Sequence, residues 1–469
     1  MKLPSSRLLA AASLILVACT ARAATRPRIG GSLRIAMQAR VSSLDPRSED
    51  NGADRGAWTN LQALLFDRLA VLDAKDQPQP ALAVSWEHDP RFVKWLFKFR
   101  PGVKWHDGSA FNSSDVVTAL DGAVANLRMR LDGDALEITS PDPAPDLLVR
   151  LATEREFVIR RPQSDAPGQS PIGTGPFRLV EFQPDRHALF QANEDYWAGR
   201  PCVDRIEIDM GRPSKDQLLD LEVDRVDIVQ LDPSEARRAQ QDRRKIWTSS
   251  PVELLTLAFR SENPRTQDPR LREAIARSID RAAIQKVLLQ NYGETVGGLF
   301  PQWLSGYSFL FPVAADLERA RQLKAQVGTP PTLRLGYDPS DFLARQVAER
   351  VAVNARDAGL ILQVAPLPDP QTGGANASPE IEILRRRIDG PSLRAAARGF
   401  NRWLPFLEGP LDQPEAIFAA EKRLVESFTV VPIACVPEII GLGPRVKNWN
   451  ATRWGDWRLD TVWLEAEKP

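Results

Sequence analysis

The sequence predicts a mixed α/β fold arranged as two lobes. Three observations predict it. At 469 residues the chain exceeds what one hydrophobic core ordinarily serves. Short apolar runs with the period of a strand alternate with segments of helical period, the β-α-β succession of a sheet covered by helices. The 43% hydrophobic content supplies the cores, and no internal repeat or long linker interrupts them.

The N-terminus reads as an export signal. Lys2 and Arg7 give a positive region, and Leu8 to Ala18 runs apolar. That run is too short to span a bilayer, which takes about 20 apolar residues, and it fits a secretory h-region. Two processing motifs overlap. Leu16-Val17-Ala18-Cys19 has the form of a lipobox, which would lipidate Cys19, whereas Ala21-Arg22-Ala23 fits ordinary cleavage. Both stay open. Either way the mature chain is exported, and membrane contact is expected only through a lipid on Cys19.

The elements follow in order. Ser32 to Met37 alternates as a strand, and Trp58, Leu61, Leu64 and Leu65 recur at helical spacing. Trp95, Phe97 and Phe99 share one strand face opposite Lys94, Lys98 and Arg100. Pro101-Gly102 suggests a turn that pairs this strand with Val103–Trp105 as a hairpin, closed by the turn His106-Asp107-Gly108. Ser113 or Ser114 is expected to cap the next helix. Gly173 to Phe177 turns sharply into a strand, and Ile206 and Ile208 mark another. A short helix over 218–223 and a buried strand over 226–229 follow. The run 254–259 is strongly apolar. Asp268-Pro269 starts a helix with a good cap and proline in its first turn. Asp280 caps a second, with Ile284, Val287 and Leu288 expected inward. A helix over 316–327, a strand over 332–337, a helix over 342–358 and a strand over 360–364 complete the succession, and Leu367 to Pro379 reads as a surface loop.

The chemistry-bearing motifs of enzymes are missing from this sequence. It contains no Gly-x-Ser-x-Gly elbow, no His-Glu-x-x-His and no phosphate-binding loop. His88, His106 and His187 have no neighbouring thiolate or imidazole of the kind a zinc site gathers. Lys+Arg and Asp+Glu balance at 61 each, so the chain has no overall attraction for nucleic acid. Cys202 and Cys435 lie far apart in sequence; an oxidising compartment leaves a disulfide between them open, and they read as small buried side chains. No cofactor, metal or catalysis is expected, and the chain is expected to be monomeric.

Four blocks of sequence carry a resemblance. The first is Gly31-Ser32-Leu33-Arg34-Ile35 with Leu44-Asp45-Pro46. The second runs from Leu82-Ala83-Val84-Ser85-Trp86 through Phe97-Lys98-Phe99-Arg100-Pro101-Gly102-Val103-Lys104-Trp105-His106-Asp107-Gly108 to Phe111-Asn112-Ser113-Ser114-Asp115-Val116. The third is Gly173-Thr174-Gly175-Pro176-Phe177 with Asn193-Glu194-Asp195-Tyr196-Trp197. The fourth is Leu257-Ala258-Phe259, then Asp268 to Ile275 and Ile279-Asp280-Arg281. In these blocks the chain resembles the bacterial extracellular solute-binding proteins of family 5, the dipeptide, oligopeptide and nickel-complex receptors of ABC importers.

The resemblance implies a periplasmic receptor of the two-lobe, Venus-flytrap (type II-like) binding-protein fold, with permease subunits as partners. A ligand such as a peptide or small solute is expected between the lobes, with hinge closure around it. It also implies a layout. A signal peptide occupies 1–23. The core of lobe I comprises 24–50, 169–257 and 440–469, an extra subdomain spans 51–168, and lobe II spans 258–439. The crossings are expected near Leu257–Arg260 and Val436–Leu442. The candidate ligand contacts are Arg260, Arg385, Asp389 and Trp403, with Asn51 and Trp58 from lobe I. Two departures from the family bear on the ligand. Arg260 stands where many members carry Asn. The late lobe II segment, shortened here, reads Glu382-Ile383-Leu384-Arg385-Arg386-Arg387-Ile388-Asp389, so an acidic anchor for a peptide amine is in doubt. A rival reading is a degenerate member acting as a periplasmic chaperone or interaction protein. A hydrolase on the same scaffold is a third.

Overall fold

The computed structural model describes residues 27–46, 48, 55–120, 127–161, 171–260, 263–307, 314–368, 378–388, 390–401 and 414–466. Cys19 with both cleavage motifs, most of the 367–379 loop, and Asn51, Asp389 and Trp403 lie outside them. No helix among the described residues is long and apolar enough to cross a membrane.

One sheet runs through the whole molecule. From the lobe II edge its order is Leu362–Pro366, Leu333–Tyr337, Ile381–Arg387, Lys245–Phe259, Val430–Leu442, Ile228–Gln230, Ser32–Ala36, Arg205–Asp209, His187–Ala192 and Phe177–Gln183, and Glu294–Thr295 pairs separately with Val430–Leu442. The two long strands in the middle, Lys245–Phe259 and Val430–Leu442, belong to both lobes. Their antiparallel ladder breaks where Pro251 faces Pro437, with register shifts on either side between Thr248 and Glu253. Two prolines opposite each other remove two ladder donors at one point, so the ladder is weakest where the lobes join.

That break corrects the expected first crossing. Leu255, Leu257 and Phe259 are buried in the lobe II core with Leu335, Val347, Ile383 and Ile433. Trp247, Ile440 and Leu442 pack in the lobe I core with Leu33, Phe190 and Ile206. The chain therefore leaves lobe I near Pro251, and Leu257–Arg260 lies well inside lobe II. Helix Arg55–Leu65 also packs into the lobe I core, through Trp58, Leu61 and Leu65.

A second sheet is an antiparallel meander of Ala83–His88, Lys94–Phe99, Ala135–Thr139 and Arg128–Asp132. It has its own core, built on Trp95, Phe97, Trp105, Leu136 and Ile138 and beginning at Leu69. The aromatic face is thus core packing, as its alternation implies: Trp95 lies opposite Ile138 and Phe97 opposite Leu136. The expected hairpin with 103–105 does not form. Lys94–Phe99 pairs instead with Ala83–His88 and Ala135–Thr139, while Val103 and Trp105 close a small loop onto Phe111 and Ser109. A strand with partners on both edges has no backbone groups left for a third.

Two local expectations also shift. Helix Ser113–Leu120 is capped by Asn112, whose Oδ1 accepts from the Ser114 and Asp115 amides. Asp268 and Asp280 do accept the amide bonds expected of caps. After Arg281–Ala283, however, the chain widens into a π-helical turn over Ile284–Leu288. The wider turn buries Ile284 and rotates Val287 outward, to 60% exposure.

Candidate functional site

The family-like blocks converge on a knot between lobe I and the extra subdomain. His106 Nε2 donates to the Gly175 carbonyl at 3.1 Å, and His106 Nδ1 accepts from the Gly173 amide at 3.3 Å. Burial pushes this imidazole down to about 4, so it stays neutral and can accept and donate at once. The glycines are fixed by a close approach. A Cβ on Gly173 would lie 1.9 Å from the Leu65 carbonyl oxygen, and one on Gly175 would lie 2.5 Å from the Leu65 carbonyl carbon. Asp67 completes the knot by accepting from Thr174 Oγ1 at 2.9 Å, Trp197 Nε1 at 2.8 Å and Tyr196 Oη at 3.1 Å. Burial pushes its carboxyl up to about 6 against those donors. Every group here is spent on another group of the chain, so the knot is architecture.

The lobe junction has a different chemistry. A line of polar side chains crosses it beside the Pro251–Pro437 break. On the lobe I side, Gln38 Nε2 donates to Asp232 Oδ1 at 3.3 Å, and the Gln38 amide donates to Gln230 Oε1 at 3.2 Å. Gln230 Nε2 donates to Glu438 Oε1 at 3.2 Å. The Ser249 hydroxyl holds the Glu438 amide at 2.8 Å. From lobe II, Arg387 meets Glu438 at 3.6 Å and Asp456 at 3.4 Å, and it donates to the Trp454 carbonyl. Arg385 lies two residues earlier on the same strand face. Its Nε donates to Glu253 Oε2 at 2.6 Å, and a second guanidinium nitrogen lies 3.6 Å from Asp341.

Asp232 is a buried lobe I carboxylate in this line. It precedes Pro233 at the start of helix Pro233–Gln241, yet its side chain makes no capping bond. Its own amide is held by Ser214 Oγ at 2.8 Å. Burial pushes the carboxyl up to about 6, opposed first by the Arg385 guanidinium and then by the Gln38 bond. A buried carboxylate of lobe I and an arginine of lobe II thus act on each other across the junction. Such a pair can take the ammonium and the carboxylate of one zwitterion, or the polar ends of a chelate.

The C-terminal tail supplies the lobe I rim. Asn60 clamps its turn: Nδ2 donates to the Gly455 carbonyl at 3.2 Å, and Oδ1 accepts the Trp457 amide at 2.9 Å. The Ser250 amide donates to the Arg453 carbonyl at 2.7 Å, tying the tail to the crossing strand. Gly455, at φ +90, fits because a Cβ there would lie 2.2 Å from Glu438 Oε2.

Of the six residues proposed from sequence as ligand contacts, Arg385 stands at this junction. Arg260 does not. Its guanidinium pairs with Glu382 at 2.9 Å, and it lies just past the end of strand Lys245–Phe259, eight residues beyond Val252, about 27 Å at strand rise. Trp58 is 3% exposed in the lobe I core, and its indole donates to the Ser43 carbonyl at 3.0 Å, so it is a packing residue. Asn51, Asp389 and Trp403 lie outside the described residues.

Sequence reasoning passed over Asp232, Gln38, Glu253, Glu438 and Asp456. A signal existed for two of them: Glu253 and Glu438 are carboxylates inside otherwise apolar strands, each two residues from or next to a proline. Asp232-Pro233 instead reads as an ordinary helix cap, which hid its other role. The arginine run is not a uniformly solvated face. Strand alternation exposes Arg386 and turns Arg385 and Arg387 to the junction.

Comparisons with known proteins fit this geometry. The model of the bacterial extracellular solute-binding proteins, family 5 (middle region), matches residues 77–381. The dipeptide-binding protein of Escherichia coli K12 is 24% identical over 327 residues, covering 61% of this chain and 60% of that protein. The match thus spans less than two thirds of that relative's length. Among solved structures, a dipeptide-binding protein of Pseudoalteromonas sp. SM9913 in complex with Met-Leu superposes with a TM-score of 0.79 at 17% identity, covering 93% of this chain and 100% of that one. NikA of Brucella suis in complex with Fe(III)-EDTA superposes at 0.78 with 19% identity, covering 93% and 100%. At these identities the structures establish the two-lobe binding fold.

Proposed function

The chain belongs to the bacterial extracellular solute-binding proteins of family 5, and on that premise we propose that it is the soluble receptor of an ABC importer, carrying a peptide or similar small zwitterionic solute between its lobes. The observation that supports this most is the junction itself. Buried Asp232 on lobe I feels the charge of Arg385 on lobe II, beside two crossing strands whose ladder is interrupted by paired prolines. Asp232 takes the positive group of the solute and Arg385 the negative one, with Gln38 orienting the Asp232 carboxylate. The receptor acts without catalysis, as a monomer in the periplasm, and delivers its closed form to the permease. A lipid on Cys19 is the one expected tie to the membrane.

A thermal-shift screen of the purified protein against di- to pentapeptides, free amino acids and metal chelates tests this reading. A ligand at 100 times its dissociation constant adds about 2.7 kcal/mol of stability. A shift with a zwitterionic peptide or amino acid, reduced in Asp232→Asn, is the expected result. Binding confined to neutral sugars or other uncharged solutes would sink it.

A further inference from the structure

Three contacts of the chain with itself bridge lobe II and the lobe I side of the molecule. In the first, Trp303, on the lobe II segment packed by Leu299 and Phe300, lies with its ring 4.9 Å from that of Trp454 in the lobe I tail. The Arg453 guanidinium covers both rings, at 6.0 and 5.1 Å, and Asp76 holds the far edge by accepting from Trp454 Nε1 at 2.7 Å. In the second, Arg387 reaches the Trp454 carbonyl, Glu438 and Asp456. The third is an ion pair at 3.4 Å between Arg394 of lobe II and Asp146 of the extra subdomain. Nearby, a Cβ on Gly390 would lie 3.5 Å from that of Thr153.

We propose that Arg387 and Trp303 form a built-in latch that holds the lobes closed in the ligand-free protein. The physical case rests on what opening would undo. Arg387 and Glu438 are 9% and 7% exposed as side chains, so water screens their attraction little, and separating Arg387 from Asp456 and the Trp454 carbonyl would strip a buried guanidinium of acceptors it already has. Trp303 would lose its aromatic and cationic neighbours together. The closed state therefore has a source of stability independent of the solute. The solute tips an equilibrium that already favours closure, and it enters during brief openings about the Pro251–Pro437 break.

Small-angle scattering of the purified protein tests this without knowledge of the ligand, once endogenous solute has been removed by unfolding in guanidinium and refolding. The wild type is expected to be compact, and Trp303→Ala and Arg387→Ala are each expected to shift the radius of gyration upward. Arg260→Ala, whose pair lies within lobe II, is the control and should not move it. Arg387→Ala strands Glu438 and risks unfolding. Trp303, at 37% exposure, is the safer position and carries the test alone if far-ultraviolet circular dichroism shows that the arginine variant has lost its fold. A radius of gyration that is the same in wild type and Trp303→Ala, whether both are open or both closed, overturns the latch.

Discussion

The knot at His106 and the polar line at the lobe junction are both buried and both hydrogen-bonded, yet they do different work. In the knot, Gly173, Thr174 and Gly175 of lobe I are met by His106 and Asp67, and the donors and acceptors satisfy one another. At the junction, Asp232 and Arg385 come from opposite sides of a ladder break and influence each other across it. The knot draws His106, Gly173 to Gly175, Tyr196 and Trp197 from the blocks that resemble the family. The junction is made of residues that depart from it or belong to no motif.

The comparison breaks most visibly in the knot. Gly173→Ala puts a methyl into the Leu65 carbonyl, and backbone cannot yield as a side chain does. The expected cost is about 3 kcal/mol or more, read as a fall in the urea midpoint. An alanine variant of wild-type stability would show that the loop and helix Arg55–Leu65 do not meet as described.

His106 gives the knot a pH signature. Its imidazole is neutral in the fold, with a pKa near 4 against the ordinary 6.5. Folding therefore excludes a proton that the unfolded chain takes up, and this contribution is complete above pH 6.5 and is lost as the pH falls toward 4. His106→Gln keeps one donor and one acceptor but does not titrate. Its disadvantage relative to wild type should shrink by about 2 kcal/mol between pH 8 and pH 5, measured by denaturant unfolding at each pH. A constant difference would mean that His106 is charged in the fold. Asp67 runs the opposite way. Its raised pKa favours the fold at low pH, and that contribution is lost as the pH rises through about 6, so the variant difference, not the wild-type curve, isolates the histidine.

At the junction the effect moves from stability to affinity. Asp232→Asn removes a charge whose burial is already costly, so the melting temperature should hardly change, while the dissociation constant for a zwitterionic solute should rise about tenfold or more. Wild-type affinity should also weaken as the pH falls through about 6, where Asp232 takes up its proton, and the variant should lose that dependence. Calorimetric titration at pH 7.5 and pH 5 separates the two outcomes.

This contrast also explains what could be read from the sequence. Strand and helix periods, with the caps at Asp268 and Asp280, place most elements, because local burial decides them. Failures came where a distant partner decides. The strand Lys94–Phe99 takes its neighbours from Ala83–His88 and Ala135–Thr139 and leaves Val103–Trp105 out, and the turn after Ala283 widens and faces Val287 to solvent. The candidate site was less legible still. Arg385 was legible as a cation in a family-divergent stretch, but only the fold brings Asp232 to Gln38 and under the influence of Arg385, and no spacing in the sequence records that.

Arg260 provides the smallest effect and the sharpest control. The sequence made it a candidate because it replaces an Asn common in the family. The structure pairs it with Glu382 on the adjacent strand, with its side chain 48% exposed. An ion pair this open to water contributes at most about 1 kcal/mol, and the position lies about eight strand residues from the ladder break, roughly 27 Å. Arg260→Ala should therefore leave solute affinity unchanged and lower the urea midpoint only slightly, with most of that difference gone in high salt. If affinity fell instead, the solute would have to extend along the lobe II face far beyond the Asp232–Arg385 pair. A long peptide could do that, and a small zwitterion could not.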